Sequence, residues 1–108
     1  MRILFDSNTP APLARAFRRH RVTLAGKLRL QNLEDGPLLD AAEECEFDVL
    51  VTCDQNIPYQ QNFAFRKLAV VVLSTNHWPS LRPFAARIAA AVEFVQPGQI
   101  KEIDIAAL

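Results

Sequence analysis

Apolar residues in this chain fall in short unbroken runs, separated by stretches in which they recur at helical spacing. Ile3-Leu4-Phe5 is such a run, too uniform for a sheet with one wet face, and predicts a buried parallel strand. Thr9 followed by Pro10 predicts a capped helix with proline at its first position, Leu13, Ala14 and Phe17 forming its apolar face and Arg15, Arg18 and Arg19 pointing outward. A strand over Arg21 to Leu24 follows. Asp35 opens a second helix, where Leu38, Leu39, Ala42 and Cys45 keep the 3.6 period. Asp48 to Thr52 reads as the next strand. Asn56 and Pro58 predict a short helix carrying Tyr59, Gln60, Gln61 and Asn62. Leu68 to Leu73, five of whose six residues are Leu or Val, is the strongest strand signal. Pro79 begins what reads as the longest helix, with Leu81, Phe84, Ala85, Ile88, Ala89, Val92 and Val95 on one face. Pro97-Gly98 stops it, and Ile103 and Ile105 alternate with charge as an edge strand.

Strand and helix alternate throughout, with no repeat or linker. Residues 1–108 therefore form one α/β domain, expected as a three-layer α/β/α sandwich on a mostly parallel central sheet with right-handed crossovers. Such sheets bind ligands beyond the carboxyl ends of their strands. Two carboxylates stand at those ends, Asp6 after the first strand and Asp54 after the third.

Composition adds limits. Half the residues are hydrophobic and 22% are charged, which excludes a disordered chain. No apolar run approaches the ~18 residues of a membrane helix, and a carboxylate at position 6 does not suit a secretory leader, so no membrane association and a cytoplasmic location are expected. Cys45 and Cys53 fit neither zinc nor redox spacing and read as small buried thiols of a reducing compartment.

The net charge is zero, but charge is segregated. Six basic residues and no acid lie between Ser7 and Leu33, namely Arg15, Arg18, Arg19, Arg21, Lys27 and Arg29. Eight acids and no base lie from Glu34 to Asp54. Two solvated helix faces would give this pattern, and so would a phosphate-attracting rim beside a cation-binding centre.

Carboxylates gathered at one sheet edge repel, and a divalent cation removes the conflict. Magnesium and manganese take hard oxygen ligands, commonly one or two carboxylates with waters and substrate phosphate. Asp6 and Asp54 are candidate ligands. Asp35 is a third candidate, with a helix cap as its plain structural alternative. Asn8 and Asn56 stand two residues after candidate ligands, as supports for a bound water or as turn residues. Thr52 is placed to orient Asp54. Arg15, Arg18 and Arg19, with Gln61 and Asn62, are candidates for substrate contact. His20 and His77 lack partners at any motif spacing and read as surface histidines. Ser7 and Ser74 have no evident base. Phe63, Phe65 and Trp78 fall in or beside loops, which predicts a homodimer or a small partner that covers them.

The segments RILFDSNTP, LEDGPLLDAAEE and FDVLVTCDQNIPYQQN resemble the short PIN-like domain proteins, small relatives of the VapC-type toxins. The resemblance runs from Arg2 to about Val95. It implies a PIN-like sandwich with acids around Mg2+ or Mn2+, cleavage of RNA by metal-activated water, and, as in many such toxins, a cognate antitoxin. By position Asp6 matches the first acid, Asp35 the helix-opening acid and Asp54 the acid after the third strand. A fourth acid usually follows shortly; here Asn56 stands in that neighbourhood.

Two other classes remain open. One is a PIN-like fold without catalysis, acting as a binding module. The other is a phosphoacceptor receiver domain, with Asp54 as acceptor and Ser74 or Thr75 as switch hydroxyl. Against the receiver, Ser7 rather than an acid follows Asp6, only 13 residues separate Asp54 from Leu68, and no lysine-proline pair follows the last strand.

Overall fold

The computed structural model describes residues 1–57 and 66–108. Its strands are β1 (Arg2–Phe5), β2 (Arg21–Leu24), β3 (Val49–Thr52), β4 (Ala69–Leu73) and β5 (Ile100–Ile103), and its described α-helices are α1 (Asp35–Glu44), α2 (Trp78–Leu81) and α3 (Ala85–Glu93). The strands form one all-parallel sheet in the order β2-β1-β3-β4-β5. Because β1, β3 and β4 are covered on both sides, they are apolar at nearly every position rather than alternating.

Side-chain alternation along these strands divides the core in two. Ile3, Phe5, Val49, Val51, Val71 and Leu73 face one layer, where they meet Leu13, Phe17, Leu81, Ile88, Ala89 and Val92. Leu4, Leu50, Val70 and Val72 face the other, against Leu38, Leu39 and Ala42 of α1. The result is an α/β/α sandwich.

Several local expectations change. The segment after β1 is a 3-10 turn over Ala11–Ala16, with Pro10 rather than Thr9 at its cap position and no side-chain cap bond. Pro10 and Pro12 deprive its start of two N–H groups, and the Thr9 hydroxyl donates instead to the Val51 carbonyl at 3.0 Å. The long helix expected from Pro79 is split into α2, a 3-10 turn over Arg82–Phe84 and α3. Pro83 is the physical reason, since it lacks the N–H an α-helix needs there. The last strand ends at Ile103; Ile105 starts a 3-10 turn capped by Asp104, whose Oδ1 accepts from the Ala106 N–H at 2.9 Å. Cys45 is exposed at the end of α1, not buried on its apolar face. The helix expected from Asn56 onward lies, from position 58, outside the described residues.

The turn after β1 and the α2–α3 segment pack on the same face of the sheet, yet β1 to β2 and β4 to β5 step along it in opposite directions. These crossovers therefore have opposite hands, and the expectation of right-handed crossovers throughout fails. The first crossover carries only a six-residue 3-10 turn, so α3 completes the cover of that face. The consequence is local: the loop after β4 is brought beside the loop after β1, at the carboxyl end of the sheet.

Gly98 makes the turn into β5. Its φ of 77° suits glycine, and an added Cβ would meet the Arg66 carbonyl oxygen at 2.7 Å.

Candidate active site

The strand order reverses direction between β1 and β3, which is where open parallel sheets form their ligand crevice. Asp6 and Asp54 leave these two strands at that point. The Asp6 N–H donates to the Val51 carbonyl at 2.9 Å, carrying the ladder one residue past β1.

Thr52 joins the two acids. It is fully buried, donates its hydroxyl to Asp6 Oδ2 at 2.7 Å and accepts from the Asp54 backbone N–H at 3.1 Å. Its hydroxyl thus holds Asp54 through the backbone N–H, in line with the expectation, and also orients the Asp6 carboxylate. The other oxygen of Asp6 accepts from the Ser7 N–H at 2.7 Å. Asp54 Oδ1 accepts from the Asn56 N–H at 2.9 Å, so Asn56 enters the site through its backbone. Asn8 turns its Oδ1 to the Cys53 N–H at 3.1 Å, tying the loop after β1 to the end of β3.

Asp35 does not cap α1. Glu34 holds the cap position and makes no side-chain cap bond, while Asp35 is the first helical residue. Its carboxyl is raised from an ordinary 3.8 to about 6. Burial is the largest cause, followed by a hydrogen bond with Asp54 and the negative charges of Asp54, Asp6 and Glu34. The three acids named by position thus share one electrostatic environment, and none pairs with a basic side chain among the described residues. Among the described residues no group of three His, Cys, Asp or Glu side chains is disposed to hold a metal ion. The contact is between Asp35 and Asp54, with Asp6 set across Thr52.

Three other acids of this segment make structural bonds. Arg66 bridges Asp40 and Glu43, each at 2.9 Å, and Asp48 accepts from the Arg2 N–H at 2.8 Å. Cys53 is half-buried, its thiol pushed up to about 11 chiefly by burial. His20 is no lone surface residue; its Nε2 lies 3.0 Å from Glu93. His77 lies 2.9 Å from the Ser80 hydroxyl. The Ser74 hydroxyl accepts from the Ile105 N–H, Thr75 accepts from the His77 N–H, and Asp104 rather than lysine follows β5.

Beside Asp6 lies a cleft of about 490 Å³, lined by Asp6, Asn8, Pro10, Gly26, Asn76 and Trp78 among others. A second groove, about 860 Å³, adjoins it across Trp78 and is walled by Arg15, Arg18 and Arg82. Arg19 is exposed but does not line this groove. Gln61, Asn62, Phe63 and Phe65 lie outside the described residues. Trp78 is half-buried against the core rather than loosely exposed. Asn76 and Arg82 are absent from the sequence-based candidates, and Trp78 figures there only as part of a surface for a second copy or a small partner. The strand-end rule that selected Asp6 and Asp54 also points to Asn76 and Trp78 when applied to β4. No helix among the described residues is long and apolar enough to cross a membrane.

A scan against protein-family models, a search of curated proteins and a search of solved structures each return no match for this chain.

Proposed function

We propose that the chain is a PIN-like, Mg2+- or Mn2+-dependent ribonuclease. The observation that supports this most is the placement of Asp6 and Asp54 on either side of the sheet's switch point, with the Asp35 carboxyl drawn against Asp54. A fold without charged ligands gains nothing from unpaired like charges there.

The donor set fits a hard divalent cation held partly through water, because magnesium commonly takes only one or two carboxylates. Asp6 and Asp54 would hold it, with Asp35 reached through water. When bound, such an ion supplies charge neutralisation at a phosphate and acidifies water. The chain's own part is positional. Thr52 fixes the rotamer of Asp6, the Asn56 N–H fixes Asp54, and Asn8 locks the two strand ends together. In the metal-free protein Asp35 keeps its proton up to about pH 6 beside Asp54, so loading the site would draw that proton off. Free cysteines suit a cytoplasmic setting. Control by a small antitoxin, or by pairing of two copies, belongs to the same proposal.

The test is manganese-dependent cleavage of mixed structured and single-stranded RNAs by the parent and by Asp54→Asn. The variant keeps shape and a carbonyl but loses one charge, and cleavage is expected to fall at least ~100-fold, about 2.7 kcal/mol. Equal cleavage by both proteins overturns the assignment of the site. If neither cleaves and neither binds manganese, the chain is a binding module.

A further inference from the structure

We propose that the groove beside the acidic site is a track for single-stranded RNA, with Trp78 as a stacking platform and Arg15, Arg18 and Arg82 as backbone guides. This deepens the ribonuclease reading and rests on it for the choice of RNA.

Three observations converge. First, the two clefts share one wall residue of large area, Trp78, so a ligand passing from the arginine groove to Asp6 must cross the indole. The ring is anchored by the core cluster behind it, which makes it a preformed surface rather than a loose side chain. Second, the larger groove is lined by three arginines and no acid, and none of the three is paired with an acid among the described residues. Arg15 and Arg18 come from the segment between β1 and β2, whereas Arg82 comes from the turn after α2. The two sources lie together only because both crossovers occupy one face of the sheet. Third, the remaining groove wall is small or stiff: Pro12, Ala16, Pro83, Ala85 and Ala86. Such a floor takes flat bases without competing hydrogen bonds.

Aromatic stacking with flanking guanidinium groups is the chemistry of single-strand recognition, since unpaired bases alone offer free faces. Base pairs in a duplex stay stacked on one another and present mainly phosphates and the shallow groove. An acidic peptide would satisfy the arginines but leave the indole between the clefts without a use. The geometry therefore favours the nucleic acid.

Trp78 is the single tryptophan of the chain, so its fluorescence reports on this position alone. The experiment titrates metal-free protein with a 12-nucleotide mixed-sequence RNA, with the same RNA as a duplex, and with poly-glutamate. Labelled-RNA anisotropy is followed in parallel over a salt series. Single-stranded RNA is expected to quench the tryptophan and to bind with a log-log salt slope near 2, about 0.7 for each of three phosphate contacts. Arg82→Ala, an exposed site, is expected to lower that slope by about 0.7. Trp78→Ala is expected to weaken binding about tenfold, with most of it kept in Trp78→Phe at an unchanged slope. The phenylalanine variant also guards against misfolding of the alanine one. Equal binding and quenching by the duplex or by poly-glutamate overturns the proposal, as does an Arg82→Ala slope equal to the parent's. The two readings separate cleanly. Single-strand quenching without manganese-dependent cleavage keeps the track and removes the nuclease. Asp54-dependent cleavage without quenching does the reverse.

Discussion

At the amino end of the sheet Arg2 sends its guanidinium to the Cys45 carbonyl and lays it 4.7 Å from the centre of the Phe47 ring, while its backbone N–H is held by Asp48. At the carboxyl end Asp6, Asp35 and Asp54 stand near one another with no basic partner among the described residues. Both ends are polar and both are well hydrogen-bonded, yet the first joins opposite partners and the second collects like charges. Hydrogen bonds from Ser7, Thr52 and Asn56 hold the acids in place without cancelling their charge. The amino end pairs its charges, whereas the carboxyl end keeps Asp35 partly buried beside Asp54 and Asp6, which raises its proton affinity.

Removing one oxygen should break this division most sharply. Thr52→Val keeps the volume of a fully buried side chain but deletes the donor to Asp6 and the acceptor for the Asp54 N–H. Losing a charge-assisted bond and stranding an N–H is expected to cost about 2 kcal/mol, read by urea unfolding with an unchanged m value. Thr52→Ser should recover most of that. A valine variant as stable as the parent would show that Thr52 only fills space.

A smaller loss is expected at the opposite end. Arg2→Ala removes the bond to the Cys45 carbonyl and the stacking on Phe47, for about 1.5 kcal/mol. Cleavage per folded molecule should be unchanged, because β1 runs the length of the sheet between Arg2 and Asp6. A matching loss of cleavage would mean that the two ends are coupled and the contrast between them is false.

The sheet was legible because buried parallel strands leave continuous apolar runs, and β1, β3 and β4 do so plainly. Asp6 and Asp54 were legible for the same reason, as the first carboxylates beyond those runs. What failed were features set by contacts distant in sequence. Thr9 is a good cap by type, but Val51 offers its hydroxyl a carbonyl 42 positions away. Thr52 holds its sequence neighbour Asp54 as expected, but its second bond, to Asp6, comes from the β1–β3 register. The apolar period of the last helical segment runs unbroken across Pro83, so periodicity alone does not show the break there. The groove was hidden because Arg82 and Trp78 reach Arg15 and Arg18 only through a crossover of unexpected hand.

The finest test of the contrast titrates the acids themselves. Asp35 holds its proton to about 6 in the fold, against 3.8 ordinarily. Between those values the native state binds more protons than the unfolded chain, so stability of the metal-free protein must fall as pH rises from about 4 to 6. The penalty is fully present above that window and absent below it. Asp35→Asn removes the titration, so its melting temperature should lose this slope and exceed the parent's at pH 7. Solvent screening at a half-buried site limits the gain to about 1 kcal/mol, about 5 °C in a domain of this size. Melts of both proteins in EDTA at pH 4.5, 5.5, 6.5 and 7.5 read the difference directly. A gap between them that stays constant with pH would show that Asp35 does not feel the charges of Asp54 and Asp6, and the carboxyl end would lose its claim to be a strained cluster.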